Sequence, residues 1–508
     1  MSALETAAQL KAFGKTVTEA VADYLAALHA HTLETLSRRY GGAFVAATRI
    51  EWVLTVPAVW SDAAKNATLV AAERAGMARR DDIMLISEPE AAAVYTLRAI
   101  QPNHLKVGDN FVVCDAGGGT VDLIAYRIRA LAPLRVEESV VGTGGLCGSA
   151  FLNYRFEDFV RRRLGDDRYR VMRERKGKTW NMGLKYFEEF VKRNFDDEDP
   201  DQEVNVPFPG LPDDEEVGLE SGFLLMKNDQ IKSILDPVVK EVIELVEGQV
   251  ETIRAKAGHV AAIVLVGGFG QSNYMYKKMQ AHFGAAPPPP YSEIPPSPAG
   301  SDIHEPIEVM HPMYAWTAVV RGAVIRGLEG SMVISRRSRW HYGTSYATVF
   351  DESKHGIKDR YWSPLWERWM VSDRMQWHIA KVSHLDELDE CALADSLQGA
   401  QVSEHRPISF HYTRNFRTGQ SLIVEDDLIA CADDEAPDAF NKNLIQVCTL
   451  RTDLSAVPRS LFTRLTTSKG VEFDNLDFSL DMRVQSAGLI FELRVEGVRY
   501  GVVEAEFH

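Results

Sequence analysis

Residues Phe111 to Ile128 read FVVCDAGGGTVDLIAYRI, and this run restricts the possible folds more than any other stretch of the chain. An apolar strand delivers Asp115 to its end, three consecutive glycines turn the backbone, and a second apolar strand leads away. Glycine admits positive φ and close approach, so the amides around Gly117, Gly118 and Gly119 can converge on an anion such as phosphate. Thr120 adds a hydroxyl. Asp115 and Asp122 add carboxylates suited to holding Mg2+ through its waters, or to orienting an attacking water. The pattern is not GxGxxG, because no helix opens directly after the glycines, and it lacks the Gly-Lys-Ser/Thr of a P-loop. A plain β-hairpin with two solvent-facing acids is the competing interpretation of this segment by itself.

The rest of the composition narrows the class. At 508 residues the chain has room for about three domains of ordinary size. Its formal net charge of −16 argues against nucleic acid or an anionic membrane as partner, since both require a positive surface. Five cysteines, at 114, 147, 391, 431 and 448, form no CxxC pair, which points to a reducing, cytoplasmic setting without a disulfide framework. The first twenty residues show neither a basic nor an apolar leader region, and no run of about 18 apolar residues occurs. The 14 histidines are scattered, and no metalloenzyme pattern emerges.

Apolar spacing predicts a helix from about Thr18 to Arg38. Ile50 to Trp60 and Ile83 to Ser87 read as strands, with Ser61 capping the helix between them and Gly76 ending it. Phe151 to Phe195 reads as helix. Asp196 to Glu216 is acidic and reads as a solvated excursion. Pro237 follows Asp236 and suits a helix start better than an interior. Val260 to Val266 reads as a buried strand before Gly267-Gly268, and the APPPPYSEIPPSPAG run as a rigid or disordered loop. Beyond about Gly330, segments such as LDFSLDMRV and LIFELRV alternate apolar and polar residues, so the last half of this tail reads as β-rich. The tryptophans at 362, 366, 369 and 377 fit packing better than a binding face.

Five blocks spread from about Val17 to Gly327 then acquire a common meaning. Together with the glycine hairpin, LTVPAVWSDAAKNATLVAAERAGM, ISEPEAAAVYTL, FEEFVKRNF, IVLVGGFGQSNYMYKKM and TAVVRGAVIRG follow one another in the order found in the 70-kDa heat-shock family. The chain resembles that family, within the actin and hexokinase superfamily, and is nearest to its divergent large relatives. The resemblance implies an α/β fold: an actin-like (ribonuclease H-like) two-lobed ATPase core followed by a β-rich C-terminal domain. Residues 1–330 would form the nucleotide-binding domain, with 1–107 and 312–330 a remnant of the first lobe and 108–311 mostly the second lobe. Residues 331–508 would form the β-rich domain.

The resemblance also implies roles. ATP or ADP with Mg2+ would be the ligand. Asp115, Thr120, Asp122 and Glu88 would serve catalysis, with Asp115 holding Mg2+ through water. Gly117, Gly118, Gly119, Gly267 and Gly268 would line the nucleotide, while Glu189, Lys192 and Arg193 would flank its base and ribose. Pro57 and Lys65 would relay between lobes. Unfolded polypeptide or co-chaperones would be the partners.

The chain also departs from the family. No first phosphate hairpin, with its aspartate, glycine and paired threonines, is present, nor the catalytic lysine that follows it. Trp316 stands where the family has an acidic residue, and Cys147-Gly148 where it has a glycine pair. Charge-assisted hydrogen bonds contribute about 1.5–3 kcal/mol each, so losing several implies binding weaker by on the order of a thousandfold. The sequence therefore reads as an ATP-binding, chaperone-like protein with weak or lost hydrolysis, its first lobe truncated. A truncated gene product is the favoured origin, against a degenerate module. A non-catalytic interaction scaffold is the competing function, and a sugar or polyol kinase ranks below both.

Overall fold

A computed structural model describes residues 3–100, 104–256, 258–284, 306–381 and 406–508. Cys391 and the proline-rich run after Phe283 fall outside these residues. The chain divides into two compact units, one formed by Pro57–Val59 with Ser87–Met332, the other by Met1–Val56, Trp60–Ile86 and Val333–His508. The structure is mixed α/β with several sheets and a β-rich C-terminal region. No described helix is long and apolar enough to cross a membrane.

In the unit holding Ser87–Met332, five strands run in the order Glu308–Met310, Val260–Val266, Asn110–Ala116, Val121–Leu131, Leu134–Gly145. The first three are parallel and the last two antiparallel additions. Every residue of Asn110–Ala116 is buried, as expected of a central strand covered on both faces. Val112, Cys114 and Ala116 share a core with Leu123 and Ala125 of the next strand and with helices Ala150–Leu164 and Asn228–Ala255. Helix Glu88–Ala99 packs on the same two strands and against helix Ala318–Glu329.

Two expectations are corrected in this unit. Asp196 to Glu216 is more than a solvated excursion. It contributes strand Glu203–Pro207 to a small sheet with Phe223–Lys227 and Leu219–Glu220, and Val206 and Phe208 are fully buried. Pro237 lies inside helix Asn228–Ala255, not at its start. Proline there removes the amide that would bond the Ser233 carbonyl and crowds that turn. An Nη of Arg155 supplies the missing donor to the Ser233 carbonyl at 3.2 Å, and its Nε donates to that of Ile234 at 3.1 Å. Arg155→Met is therefore expected to cost about 1.5–3 kcal/mol. In a double-mutant cycle the loss should shrink when Pro237 is replaced by alanine, as read by denaturant melts.

In the other unit, helix Val17–Tyr40 opens with a capping box between Thr16 and Glu19. Helix Asp62–Arg74 is capped by Ser61, whose hydroxyl accepts from the Ala64 amide, and Gly76 takes φ +76° just beyond its end. Strand Trp52–Val56 pairs with Ile83–Ser87. Val56 and Leu85 join Ala487 in a small apolar cluster, so this segment shares its packing with the C-terminal strands.

Those strands form two layers. One sheet runs Arg360–Ser363, Arg368–Ile379, His341–Val349, Ile423–Cys431, Ile445–Asp453, Glu504–Phe507. The other is built on Ile408–Phe416, Glu472–Val484, Leu489–Val495 and Val498–Val502. Their inward residues, among them Leu428, Cys448, Phe410, Leu480 and Phe491, make one shared core, the arrangement of packed antiparallel sheets. Trp377 packs as expected and donates to the Pro437 carbonyl at 2.9 Å. Trp362 and Trp369 meet edge to face at 5.5 Å but stay 49% and 43% exposed on the edge hairpin, outside the core.

Candidate functional site

The glycine bend is held by the start of a helix. The amides of Gly148, Ser149 and Ala150 donate to the carbonyls of Gly119, Gly117 and Gly118 at 3.3, 3.1 and 2.8 Å. A trans peptide is planar, with its N–H opposite its C=O. Tying three successive carbonyls to one side therefore turns the amides of Gly118, Gly119 and Thr120 to the other. Among the described residues these amides donate to no protein acceptor, whereas the Gly117 amide closes the turn on the Thr120 carbonyl at 2.9 Å.

Carboxylates gather beside the bend. Asp115 and Asp122 are register partners across the hairpin, and both are buried. Glu88 begins helix Glu88–Ala99, ahead of Pro89 in the first turn. Burial, then Glu88, then Asp122, pushes the Asp115 carboxyl up to about 7. Burial, then Asp122, pushes Glu88 up to about 7 as well. Such clustering of like charge in a low-dielectric pocket is costly unless a cation or proton answers it. Asp122 also accepts the Val59 amide at 3.2 Å, two residues beyond Pro57.

Gly267 closes the third side. It takes φ +88°, and a side chain there would overlap the Ala116 carbonyl and sit 2.5 Å from Asp115 Oδ1. Only glycine fits both the conformation and the approach. Gly268 lies beside Trp316, the nearest atom to a Cβ added there at 3.7 Å.

Lys192 reaches the bend through one residue. Its ammonium donates to the Ser149 carbonyl at 3.0 Å and to Asn153 Oδ1 at 2.8 Å, and Asn153 in turn donates to Glu188 at 2.6 Å. Burial, the leading cause, lowers the Lys192 ammonium to about 8. The preceding turn, Phe187–Val191, is a π-helix, a form found mostly as single inserted turns and often at functional sites. The sequence triad is thus divided. Glu189 is exposed and pairs with Lys185 at 3.8 Å, and Arg193 is exposed. Lys65 belongs to the other unit, where it lies 3.5 Å from Asp62.

Residues that carry this geometry without having drawn attention are Val59, Ser149 and Asn153. Two act through backbone groups, which leave no mark in a side-chain pattern. No group of three or more His, Cys, Asp or Glu among the described residues is arranged to hold a metal directly. The three acids around Asp115 suit a hydrated cation instead.

Comparison with known proteins bears on this arrangement. Residues 104–288 match a family described as a domain of unknown function (DUF8340). Heat shock 70 kDa protein 12A of Homo sapiens is 24% identical over 416 residues, 68% of this chain and 57% of that protein. Heat shock 70 kDa protein 12B of Homo sapiens is 23% identical over 442 residues, 71% of this chain and 61% of that protein. A chaperone protein HscA homolog of Acinetobacter baumannii is 26% identical over 288 residues, 56% of this chain and 40% of that protein. The chain thus spans less than two thirds of the length of these relatives.

Proposed function

Because this chain is a divergent Hsp70-like protein, we propose that the glycine bend binds the phosphates of ATP or ADP. The observation that carries this is the set of three amides, at Gly118, Gly119 and Thr120, turned away from the helix that holds their carbonyls. In this reading residues 1–330 form an actin-like, two-lobed core in the cytoplasm, and 331–508 a β-rich part that receives unfolded polypeptide.

Each residue then has a task. The three amides and the Thr120 hydroxyl grip phosphate oxygens. Asp115, with Asp122 near it, holds Mg2+ through water, and the ion screens the phosphate charge. Glu88 faces the same cluster, and a carboxyl near 7 is matched to accepting a proton from an attacking water at neutral pH. Gly267 keeps Asp115 in place. Lys192, through Ser149, fixes the bend.

Titration calorimetry with ATP and Mg2+ tests the reading. Gly119 lies outside the left-handed region, and a Cβ there meets nothing within 4 Å. Gly119→Ala keeps the amide and should bind like the wild type. Gly119→Pro removes it and should bind about tenfold more weakly or worse, since a charge-assisted hydrogen bond contributes about 1.5–3 kcal/mol. No heat and no thermal shift in millimolar ATP with Mg2+ would favour the scaffold instead.

A further inference from the structure

Helix Ala150–Leu164 carries Phe151, Arg155, Phe159 and Arg163 at four-residue steps, so aromatic rings and guanidiniums alternate along one face. All four line a cavity of about 690 Å³ shared with helix Asn228–Ala255, a size that suits small organic ligands. Ile234 and Val238, both buried, supply apolar wall from the second helix. Phe151 and Phe159 are half-buried and pack on the core of this unit, which fixes their place.

Two of the guanidiniums are held in position without being neutralised. Arg155 donates to the carbonyls of Ile234 and Ser233, and Arg163 Nε donates to the Val217 carbonyl at 2.8 Å. The Arg163 guanidinium also lies over the Phe159 ring, 5.9 Å from its centroid. Among the described residues neither arginine pairs with a carboxylate, and the terminal nitrogens of Arg163 donate to no acceptor. The lining acid Asp158 is shared by Arg161 and Arg162. Glu241 is the other carboxylate in the lining. A carbonyl orients a guanidinium but carries no net charge, so both arginines keep a full positive charge beside apolar wall. An anion with an apolar body answers the charge and the wall together.

We propose that this cavity binds a small organic anion with an apolar body, an aryl or medium-chain acyl carboxylate. Its carboxylate accepts from the terminal nitrogens of Arg163, and its body lies along Phe159 against Ile234 and Val238. Arg155 stands two turns nearer the helix start, roughly 12 Å along the axis. That spacing leaves room for the body between the two cations. The site shares no residue with the phosphate cluster and does not depend on the nucleotide reading.

Titration calorimetry of the full chain with naphthoate and with naphthylmethylammonium tests the site. The two probes share one apolar body and carry opposite charges. Naphthoate should bind one to one and weaken as salt is added, while the ammonium should not bind. Arg163→Gln should weaken naphthoate about tenfold or more, through loss of a charge-assisted pair. Arg163→Lys keeps the charge and should recover part of that loss. Glu241→Gln removes a carboxylate that opposes the ligand and should tighten naphthoate by a few fold. Glu241 is exposed, and an unchanged melt confirms that each variant is folded. Equal affinity for both probes, or no heat with millimolar naphthoate, overturns the site. So does a folded Arg163→Gln variant that binds like wild type. Should that variant fail to fold, Glu241→Gln binding no more tightly than wild type overturns it.

Discussion

Gly322→Ala is expected to destabilise the protein by about 3 kcal/mol, since overpacking a tight contact typically costs about 1–3 kcal/mol and sometimes more. Helix Ala318–Glu329 lies so close to helix Glu88–Ala99 that a Cβ on Gly322 would overlap the Ala91 carbonyl. Ala91 is fully buried, and the obstacle is helix backbone, which cannot rotate aside as a side chain would. The helices must separate, loosening the ion pairs of Arg326 with Glu90, at 3.7 Å, and Arg98 with Glu329. At about 2–4 °C per kcal/mol for a unit of this size, the melt should fall by roughly 6–12 °C. Gly248 is the control. It is exposed in a helix interior with open space around it, so Gly248→Ala should stabilise by about 0.5–1 kcal/mol. Glu88 starts the helix that Gly322 touches, so on the proposed reading nucleotide affinity should fall in the Gly322 variant and not in the Gly248 one. A wild-type melt for Gly322→Ala would show that the two helices do not meet this closely.

Asp115→Asn carries the second large effect, and its two consequences have opposite signs. The Asp115 carboxyl lies near 7 in the folded protein against about 3.9 unfolded. Between these values the folded state holds the proton and the unfolded state does not. This contribution is therefore complete below about pH 4 and is lost as pH rises through 7. Asparagine does not titrate. Relative to wild type, the ligand-free variant should gain on the order of 2–4 kcal/mol at pH 8, with most of the difference gone by pH 4. Glu88 titrates against the same cluster, so the two substitutions should not add. On the proposed reading, binding of ATP with Mg2+ should weaken in the variant, because the carboxylate that is costly without ligand would be the one that answers the cation. Denaturant melts from pH 5 to 8 measure the first effect and calorimetry the second. A variant less stable than wild type at pH 8 would show that Asp115 is not held against its neighbours.

How far the sequence could be followed depended on where each residue finds its partner. The strand ending at Asp115, the strand ending at Val266, the Ser61 cap and Gly76 are settled within a few residues, and all were legible. Pro237 was not. Its place inside a helix depends on Arg155, a partner supplied by another helix. Phe208 was hidden by the acids around it, although it is completely buried. Strand Leu134–Gly145 went unread, because its glycine-rich end resembles a loop. At the candidate site, Glu88 was reached only through the family resemblance, while the side chains of Asp115 and Asp122 announced themselves as chemistry. The orientation of the bend did not, because it is set by the amides of Gly148 to Ala150, which every residue type but proline carries. Glu189, Lys192 and Arg193 share the spacing of a helix face, and only the fold distinguishes Lys192.

The division of the chain has a consequence for its synthesis. Ser87–Met332 is continuous and, with only Pro57–Val59 added, makes one unit, whereas the other unit joins Met1–Val56 and Trp60–Ile86 to Val333–His508. Chains emerge from the ribosome N-terminus first, and domains generally fold as units. The central unit can therefore mature while the tail is still being translated. Met1–Val56 and Trp60–Ile86, including the face of Val56 and Leu85 that packs on Ala487, must wait for Val333–His508 to arrive. During that interval they are exposed to proteases and to other nascent chains.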